Sequence, residues 1–376
     1  MSYLLALDQG TTSSRAIIFN ENGKVHATAQ RETHIKTPHS GWVEQDAQEI
    51  WTTQIAVVQQ AMASARILAK DIKALGLTNQ RETTVVWDKR TGTPLAPAII
   101  WQDRRAAEWC NSLLQNNKMN KIHKKTGLRI DPYFSAGKLV WLLQNIDGLR
   151  ELAQQGHVAF GTIDSWLIWN LTQGSQHVIE VSNASRTMLM NLKTQQWDAE
   201  LLDLFDIPHS VLPTIIRSDE YVANTAPGLL GAEIPIAGVM GDQQSALFGQ
   251  SCFEAGTAKN TYGTGCFMLF NTGEKLQYSQ NQLLTTLAWN CQNKTSYALE
   301  GSVFMAGAIV QWLRDGLGII KNSTEVEKLA CQVNSTDGVV LVPAFTGLGA
   351  PHWDTDARAL LCGMSRGTNK AHIARA

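Results

Sequence analysis

The sequence predicts an α/β fold built from two related halves. Apolar strand-like runs alternate with helical patterns from residue 1 to about residue 250, the signature of strands covered by helices. A strand–turn–strand pattern with a small-residue tip opens the chain and recurs after residue 257, which suggests a duplicated unit. Several chemically loaded residues fall where apolar strands stop, the usual place for ligand contacts in α/β proteins.

The opening pattern runs Tyr3-Leu4-Leu5-Ala6-Leu7 into Asp8-Gln9-Gly10-Thr11-Thr12-Ser13-Ser14-Arg15 and out through Ala16-Ile17-Ile18-Phe19. Gly10 lets backbone approach a ligand closely, and Thr11, Thr12 and Ser13 offer hydroxyl donors to phosphate oxygens. Arg15 adds a cation, and Asp8 at the strand end suits a hydrated Mg²⁺. Gly-Thr-Thr alone fits an ordinary polar hairpin equally well.

Val25 to Ile35 reads as a further strand. Asp46, with Glu49 three residues on, starts a helix continued by Ile50, Gln54, Val57, Val58, Ala61 and Met62. Ala74-Leu75-Gly76-Leu77 is a short buried strand ending at Asn79-Gln80-Arg81-Glu82. Thr83 to Trp87 is the next strand, and Asp88 to Gly92 a turn. Ala98 to Trp101 is another strand, ending in Gln102-Asp103-Arg104-Arg105 before a helix from about Ala106. Arg81 and Glu82 suit two-sided recognition of hydroxyls on a small polyol, or form a surface ion pair of little consequence. Trp101 serves a cleft wall or the core. Asp131-Pro132-Tyr133-Phe134-Ser135 is a turn before a helix carrying Leu139, Trp141, Leu142 and Leu143, and Tyr133 either offers its hydroxyl or packs. Ala136-Gly137-Lys138-Leu139 lacks the upstream Gly and following Ser/Thr of a P-loop. Gly161 to Leu171 reads as an apolar helix, Ser182 to Asn191 as a polar turn entering a strand, and Trp197 to Phe205 as a helix. Residues 207–230 are irregular, with Pro208, Pro213 and Pro227.

Ile234 to Gly241 is an apolar strand that delivers Asp242 to the start of a helix from about Gln243 to Gly249. A carboxylate there either orients and deprotonates a substrate hydroxyl or caps the helix. The second hairpin, Ala258 to Tyr262 and Cys266 to Phe270 around Gly263-Thr264-Gly265, places the boundary near 249–256 and gives domains 1–250 and 251–376. Ser302 to Leu313 reads as a helix, Val339 to Ala344 as a strand, and 346–351 as a loop.

With 44% hydrophobic and 17% charged residues in 376, the chain has ample core for a globular protein. A formal net charge of −1 argues against a nucleic-acid partner. No stretch approaches the roughly 20 apolar residues of a membrane span, and the N-terminus lacks a secretory pattern. Six scattered cysteines without a C-x-x-C pair fit reduced thiols and a cytoplasmic location, which makes the Asn183 and Asn293 sequons chance matches.

Taken together, the two phosphate-loop-like hairpins, Asn79-Gln80-Arg81-Glu82-Thr83, Trp101-Gln102-x-Arg104-Arg105, Asp131-Pro132-Tyr133 and Gly241-Asp242-Gln243-Gln244 resemble the FGGY carbohydrate kinases, and within them the glycerol-phosphorylating branch. The resemblance spans the whole chain. It implies an actin-like ATPase (ribonuclease H-like) fold, with two duplicated domains around a cleft. It implies glycerol held by Arg81, Glu82, Tyr133, Asp242 and Gln243, an apolar wall of Trp101 and Phe267, and Asp242 as catalytic base. It assigns ATP to Thr11, Thr12, Ser13, Arg15, Thr264, Gly307 and Gln311, and Mg²⁺ to Asp8. The implied reaction is ATP plus glycerol giving glycerol 3-phosphate and ADP. A carboxylate at its reference pKa of ~3.9 is a weak base, so most of the rate would come from positioning and charge neutralisation. A homo-oligomer is compatible with all of this.

The resemblance also implies that the chain, ending at Ala376, stops at the start of a helix and short of the adenosine-holding part of the second domain. Some bacterial members bind fructose 1,6-bisphosphate through a basic residue where this sequence has Glu233, which would repel a phosphate. A kinase for another small polyol, a non-catalytic remnant and an actin- or chaperone-like ATPase are the competing readings.

Overall fold

The computed structural model describes residues 2–376. The chain divides into two compact units. The first comprises the chain up to Thr257 with Asn271–Tyr278 and Thr285–Ala298; the second comprises Ala258–Phe270, Ser279–Leu284 and Leu299–Ala376.

The first unit is organised on a six-stranded sheet. Strands β1 (Tyr3–Gln9), β2 (Ser13–Asn20) and β3 (Val25–Glu32) form an antiparallel meander. On the other side of β1 lies the parallel strand Ile72–Asn79, then the parallel strand Pro235–Gly241, then Ala223–Asn224 at the edge. Alternation along β1 and β2 sends Leu5, Leu7, Ala16 and Ile18 into one core with Ile50, Val57, Val58 and Ala61 of helix α1 (Ala47–Ala65). Asp46 caps α1, its Oδ1 accepting from the amides of Gln48 and Glu49. Glu49 turns away to accept from His34, so the reciprocal half of the capping box is replaced by a tie to the chain after β3.

Several elements differ from expectation. Strand β3 stops at Glu32 because its last partner on β2 is Ser13, where β2 begins. The apolar helix starts at Ile163, since Val158–Gly161 pairs as a strand with Val85–Asp88. The polar turn expected over Ser182 to Asn191 begins as a helical turn, Val181–Ala184, and Ser182, Asn183, Ser185, Arg186 and Thr187 are all buried. A fully buried Asn183 also excludes that sequon as an acceptor in the folded protein.

In the second unit, Ala258–Tyr262 pairs with the strand from Cys266 around the tip Gly263-Thr264-Gly265. Strand Lys294–Val303 runs on to where a helix was expected, so that helix begins only at Gly307 and ends at Asp315. Leu313, Ile320, Leu329 and Ala371 form a local core, Ala371 lying on the helix Lys370–Arg375. Among the described residues, no helix is long and apolar enough to cross a membrane.

Two glycines in the same backbone conformation separate strain from crowding. Gly148 has φ 72° and open space where a Cβ would sit, whereas Gly127 has φ 73° and a Cβ there would lie 2.3 Å from Thr285 O. Gly148→Ala is expected to cost about 1–2 kcal/mol, the left-handed penalty alone. Gly127→Ala adds an overpacking term and should cost about 2–5 kcal/mol in all, read from urea unfolding midpoints.

Candidate active site

Register places the site. Gln9 of β1 pairs with Asn79, and Asn79 pairs with Gly241, so three parallel strands end at one level. The residues that follow them, Gly10-Thr11, Gln80-Arg81-Glu82 and Asp242-Gln243, therefore emerge together at the carboxyl edge of the sheet. Backbone links hold this level: Gln80 N donates to Gln9 O at 2.7 Å, and the Gln80 side chain donates to Gln45 Oε1 at 2.8 Å.

Arg81 is the centre. Its Nε lies 3.5 Å from Asp242 Oδ1 and 3.9 Å from Glu82 Oε1. Its Nη2 donates to the Tyr133 hydroxyl and its Nη1 to Gln244 Oε1, both at 3.3 Å. The side chains of Arg81 and Glu82 are each 2% exposed, while that of Asp242 is 32% exposed. The cluster is thus buried except on its Asp242 side. Glu82 adopts φ 63°, a left-handed conformation uncommon for Glu that turns its side chain off the strand direction. Gly241 has to be glycine because a Cβ there would sit 2.9 Å from Arg81 Cγ and Cδ.

Two buried cations that the sequence did not flag complete the cluster. Arg186 Nε donates to Glu82 Oε1 at 2.6 Å, and its guanidinium stands over the Tyr133 and Phe134 rings at 5.6 and 5.4 Å. Lys138, in the helix Ser135–Asn145, donates its ammonium to the carbonyls of Pro132 (2.7 Å) and Tyr133 (2.6 Å), clamping the turn that carries Tyr133. Burial pulls the Lys138 ammonium down to about 8, opposed by Asp103, Glu82 and Asp131. The signal for Arg186 was present: from Val178 to Met190 the sequence has no Gly or Pro, an unlikely composition for a surface turn.

Trp101 links two parts of the site. Its ring meets Tyr133 edge-on at 5.9 Å, and its Nε1 donates to Thr11 Oγ1 at 2.8 Å, tying the first loop to the Arg81 cluster. Within that loop Gly10 N donates to Ser13 O, and Gln30 holds both Ser13 Oγ (3.0 Å) and Arg15 Nε (3.1 Å). Asp8 and Arg15 are register partners with their charges 3.6 Å apart. Burial raises the Asp8 carboxyl above its usual range, and Arg15 pulls it back. A partly desolvated carboxylate of this kind fits a cation carrying its own water.

In the second unit, Thr264 and Gly307 meet: Thr264 O accepts from the amides of Ala306 (2.7 Å) and Ala308 (3.2 Å), and Gly307 N donates to Gly263 O. A Cβ on Gly307 would lie 2.7 Å from that carbonyl, so the helix can begin there only on glycine. Gln311 follows one turn on, and Phe267 lies buried on the hairpin opposite Thr261. Of the residues singled out in the sequence, the first unit brings together Thr11, Arg81, Glu82, Trp101, Tyr133, Asp242 and Gln243. It sets Asp8, Thr12, Ser13 and Arg15 on the hairpin beside them. Thr264, Phe267, Gly307 and Gln311 belong to the second unit.

Comparison with known proteins gives the family. Residues 3–249 match the N-terminal domain of the FGGY family of carbohydrate kinases, and residues 258–376 match its C-terminal domain. The chain is 79% identical over 376 residues to a glycerol kinase of Acinetobacter baylyi, covering all of this chain and 76% of that protein. It is 58% identical over 374 residues to a glycerol kinase of Deinococcus radiodurans, covering 74% of it. Among solved structures, Plasmodium falciparum glycerol kinase with ADP superposes with a TM-score of 0.86 at 39% identity, over the whole chain and 75% of that one. A xylulose kinase from Lactobacillus acidophilus reaches the same TM-score at 22% identity and shares the fold.

Removing Arg186 would leave Glu82 without its shortest partner in a buried setting. Arg186→Met is expected to destabilise the protein by about 3–5 kcal/mol. Pairing it with Glu82→Gln should recover a large part of that loss, since the uncompensated charge is then gone. Denaturant melts of the two single variants and the double variant check this.

Proposed function

Because the chain belongs to the FGGY family of carbohydrate kinases, we propose that it is an ATP-dependent kinase that phosphorylates glycerol. The products are sn-glycerol 3-phosphate and ADP. The observation that carries this reading is the buried Arg81–Glu82–Tyr133 cluster opening only toward Asp242, joined to glycerol kinases at 79% and 58% identity.

A small polyol presents hydroxyls that both donate and accept. Arg81 donates to one and the Glu82 carboxylate accepts from another, while Tyr133 and Gln243 complete the polar side. Trp101, with Phe267 assigned to the same role from the second unit, offers an apolar face to the carbon chain. Such a pocket selects by leaving its own buried polar groups unpaired when a hydroxyl is missing.

The attacking terminal hydroxyl lies against Asp242. As its oxygen bonds to the γ-phosphorus of ATP, the bond from that phosphorus to the ADP oxygen breaks, and the hydroxyl proton passes to Asp242. Being partly exposed, Asp242 returns the proton to solvent. A carboxylate is a weak base, so the larger contributions are alignment and stabilisation of charge on the transferring group. Thr11, Thr12, Ser13 and Arg15 hold phosphate oxygens through the first loop, and Thr264, Gly307 and Gln311 of the second unit are assigned to the nucleotide. In this division residues 1–250 carry the polyol and the first phosphate loop, and residues 251–376 the remaining nucleotide contacts. Asp8 is the residue that would hold hydrated Mg²⁺, which supplies neutralisation of the phosphate charge when bound.

The test is glycerol 3-phosphate formation from Mg-ATP and glycerol, measured beside Asp242→Asn. The variant should lose about 10²–10⁴ in kcat while still binding glycerol, because it removes the proton acceptor and keeps its shape. Full activity in Asp242→Asn would remove Asp242 from the chemistry. In Glu82→Gln the preference for glycerol over other small polyols, as a ratio of kcat/KM values, should collapse.

A further inference from the structure

The carboxylate of Glu180 is wholly buried and lies outside the polyol pocket, yet four donors converge on it. Ser182 Oγ donates to Oε2 at 2.5 Å and Ser218 Oγ to Oε1 at 2.6 Å, and Asn183 adds its backbone N at 3.2 Å and its Nδ2 at 3.4 Å. Each hydroxyl spends its proton on Glu180 and offers its lone pairs to a backbone amide. Ser182 Oγ accepts from Gly241 N at 3.1 Å, immediately before Asp242. Ser218 Oγ accepts from Asn290 N at 3.1 Å, and Ser218 O accepts from Val239 N in the same strand as Gly241. Asn183 also exchanges two hydrogen bonds with Asn79, at 3.0 and 3.1 Å, and Asn79 donates to Gln80 O beside Arg81.

We infer that Glu180 is a positioning residue for the phosphoryl transfer proposed above: its ionised carboxylate fixes the direction of the Ser182 hydroxyl so that the Gly241 amide, and with it Asp242, is held in place. The inference rests on that reading of the reaction. Protonated on Oε2, Glu180 donates to Ser182 Oγ, the Ser182 proton turns from Glu180 toward the Gly241 amide, and the hold on that amide weakens. Burial pushes the Glu180 carboxyl up to about 7, offset by the two serine hydroxyls. The titratable groups facing it are Asp164, whose Oδ2 accepts from Glu180 N at 2.8 Å, and Cys291. Asp164 is itself raised to about 6 by burial, and its carboxylate accepts from the Thr162 hydroxyl and from Glu180 N.

Two measurements on the full chain test this. In the glycerol phosphorylation assay the wild-type kcat should rise with pH through about 7 as Glu180 ionises. Glu180→Gln, which keeps the side-chain shape, should lower kcat at pH 8 about tenfold, change the glycerol KM little and flatten that pH limb. Asp164→Asn should keep the limb. Hydrogen exchange supplies a readout independent of activity: amides in peptides covering residues 235–245 should exchange faster in Glu180→Gln and in the milder Ser182→Ala. Wild-type kcat and pH limb in Glu180→Gln, or unchanged exchange in both variants, would overturn the inference. An inactive wild type would count against the assigned reaction, and the exchange data would still decide whether Glu180 holds Gly241.

Discussion

A guanidinium buried between two carboxylates is the constraint on which the site depends. Moving a charge into the interior costs several kcal/mol even after relaxation, and only close, well-made pairs offset it. At 3.5 Å and an effective dielectric near 20, the attraction between Arg81 and Asp242 is about 5 kcal/mol, comparable with that cost. The charges run in alternating order, Arg186, Glu82, Arg81, Asp242, so each interior member is flanked by opposite sign. The series ends at Asp242, whose side chain alone among them is substantially exposed. A ligand entering there meets a surface whose internal electrostatics are already balanced.

Such a series tolerates little displacement, and the surrounding structure reflects that. Aligned strand ends fix the depth of Arg81 and Asp242. Lys138 replaces a backbone donor beneath the Tyr133 turn, and Trp101 carries the position of that turn across to Thr11. The buried segment from Glu180 to Thr187 is polar because it serves two strands at once. An apolar segment would fill the same volume while leaving the amide of Gly241 and the side-chain oxygen of Asn79 without these partners, a penalty of about 1–3 kcal/mol for each group.

Much of this was legible in the sequence, for a definite reason. Strand ends are local features, and Arg81-Glu82, Trp101 and Asp242 each follow an apolar run that announces where the strand stops. The supporting groups were not legible, because their partners are remote. Arg186 reaches Glu82 across 104 residues of chain, and Asn183 reaches Asn79 across as many. Local pattern read the run carrying Arg186 and Asn183 as a polar turn, when its polarity answered acceptors and donors set elsewhere. The left-handed backbone of Glu82 was equally invisible, since nothing in Gln80-Arg81-Glu82-Thr83 marks it; it is imposed by the ties on either side, Gln80 to Gln9 and Thr84 to Ile99.

Asp242 invited two readings, helix cap and proton acceptor; the structure corrects the first, and the second is the role proposed above. Gly241 is the cap position and Asp242 the first helical residue, with Gln243 N donating to Asp242 Oδ1 at 2.7 Å. That bond and the Arg81 contact fall on the same oxygen, so the carboxylate is gripped from the helix and from the pocket together. A side chain free to rotate would be a poor acceptor however basic it was, because proton transfer requires reach and angle before driving force. In the proposed reaction the helix start thus aims a weak base, and aiming is the part of its task that a carboxylate cannot supply by itself.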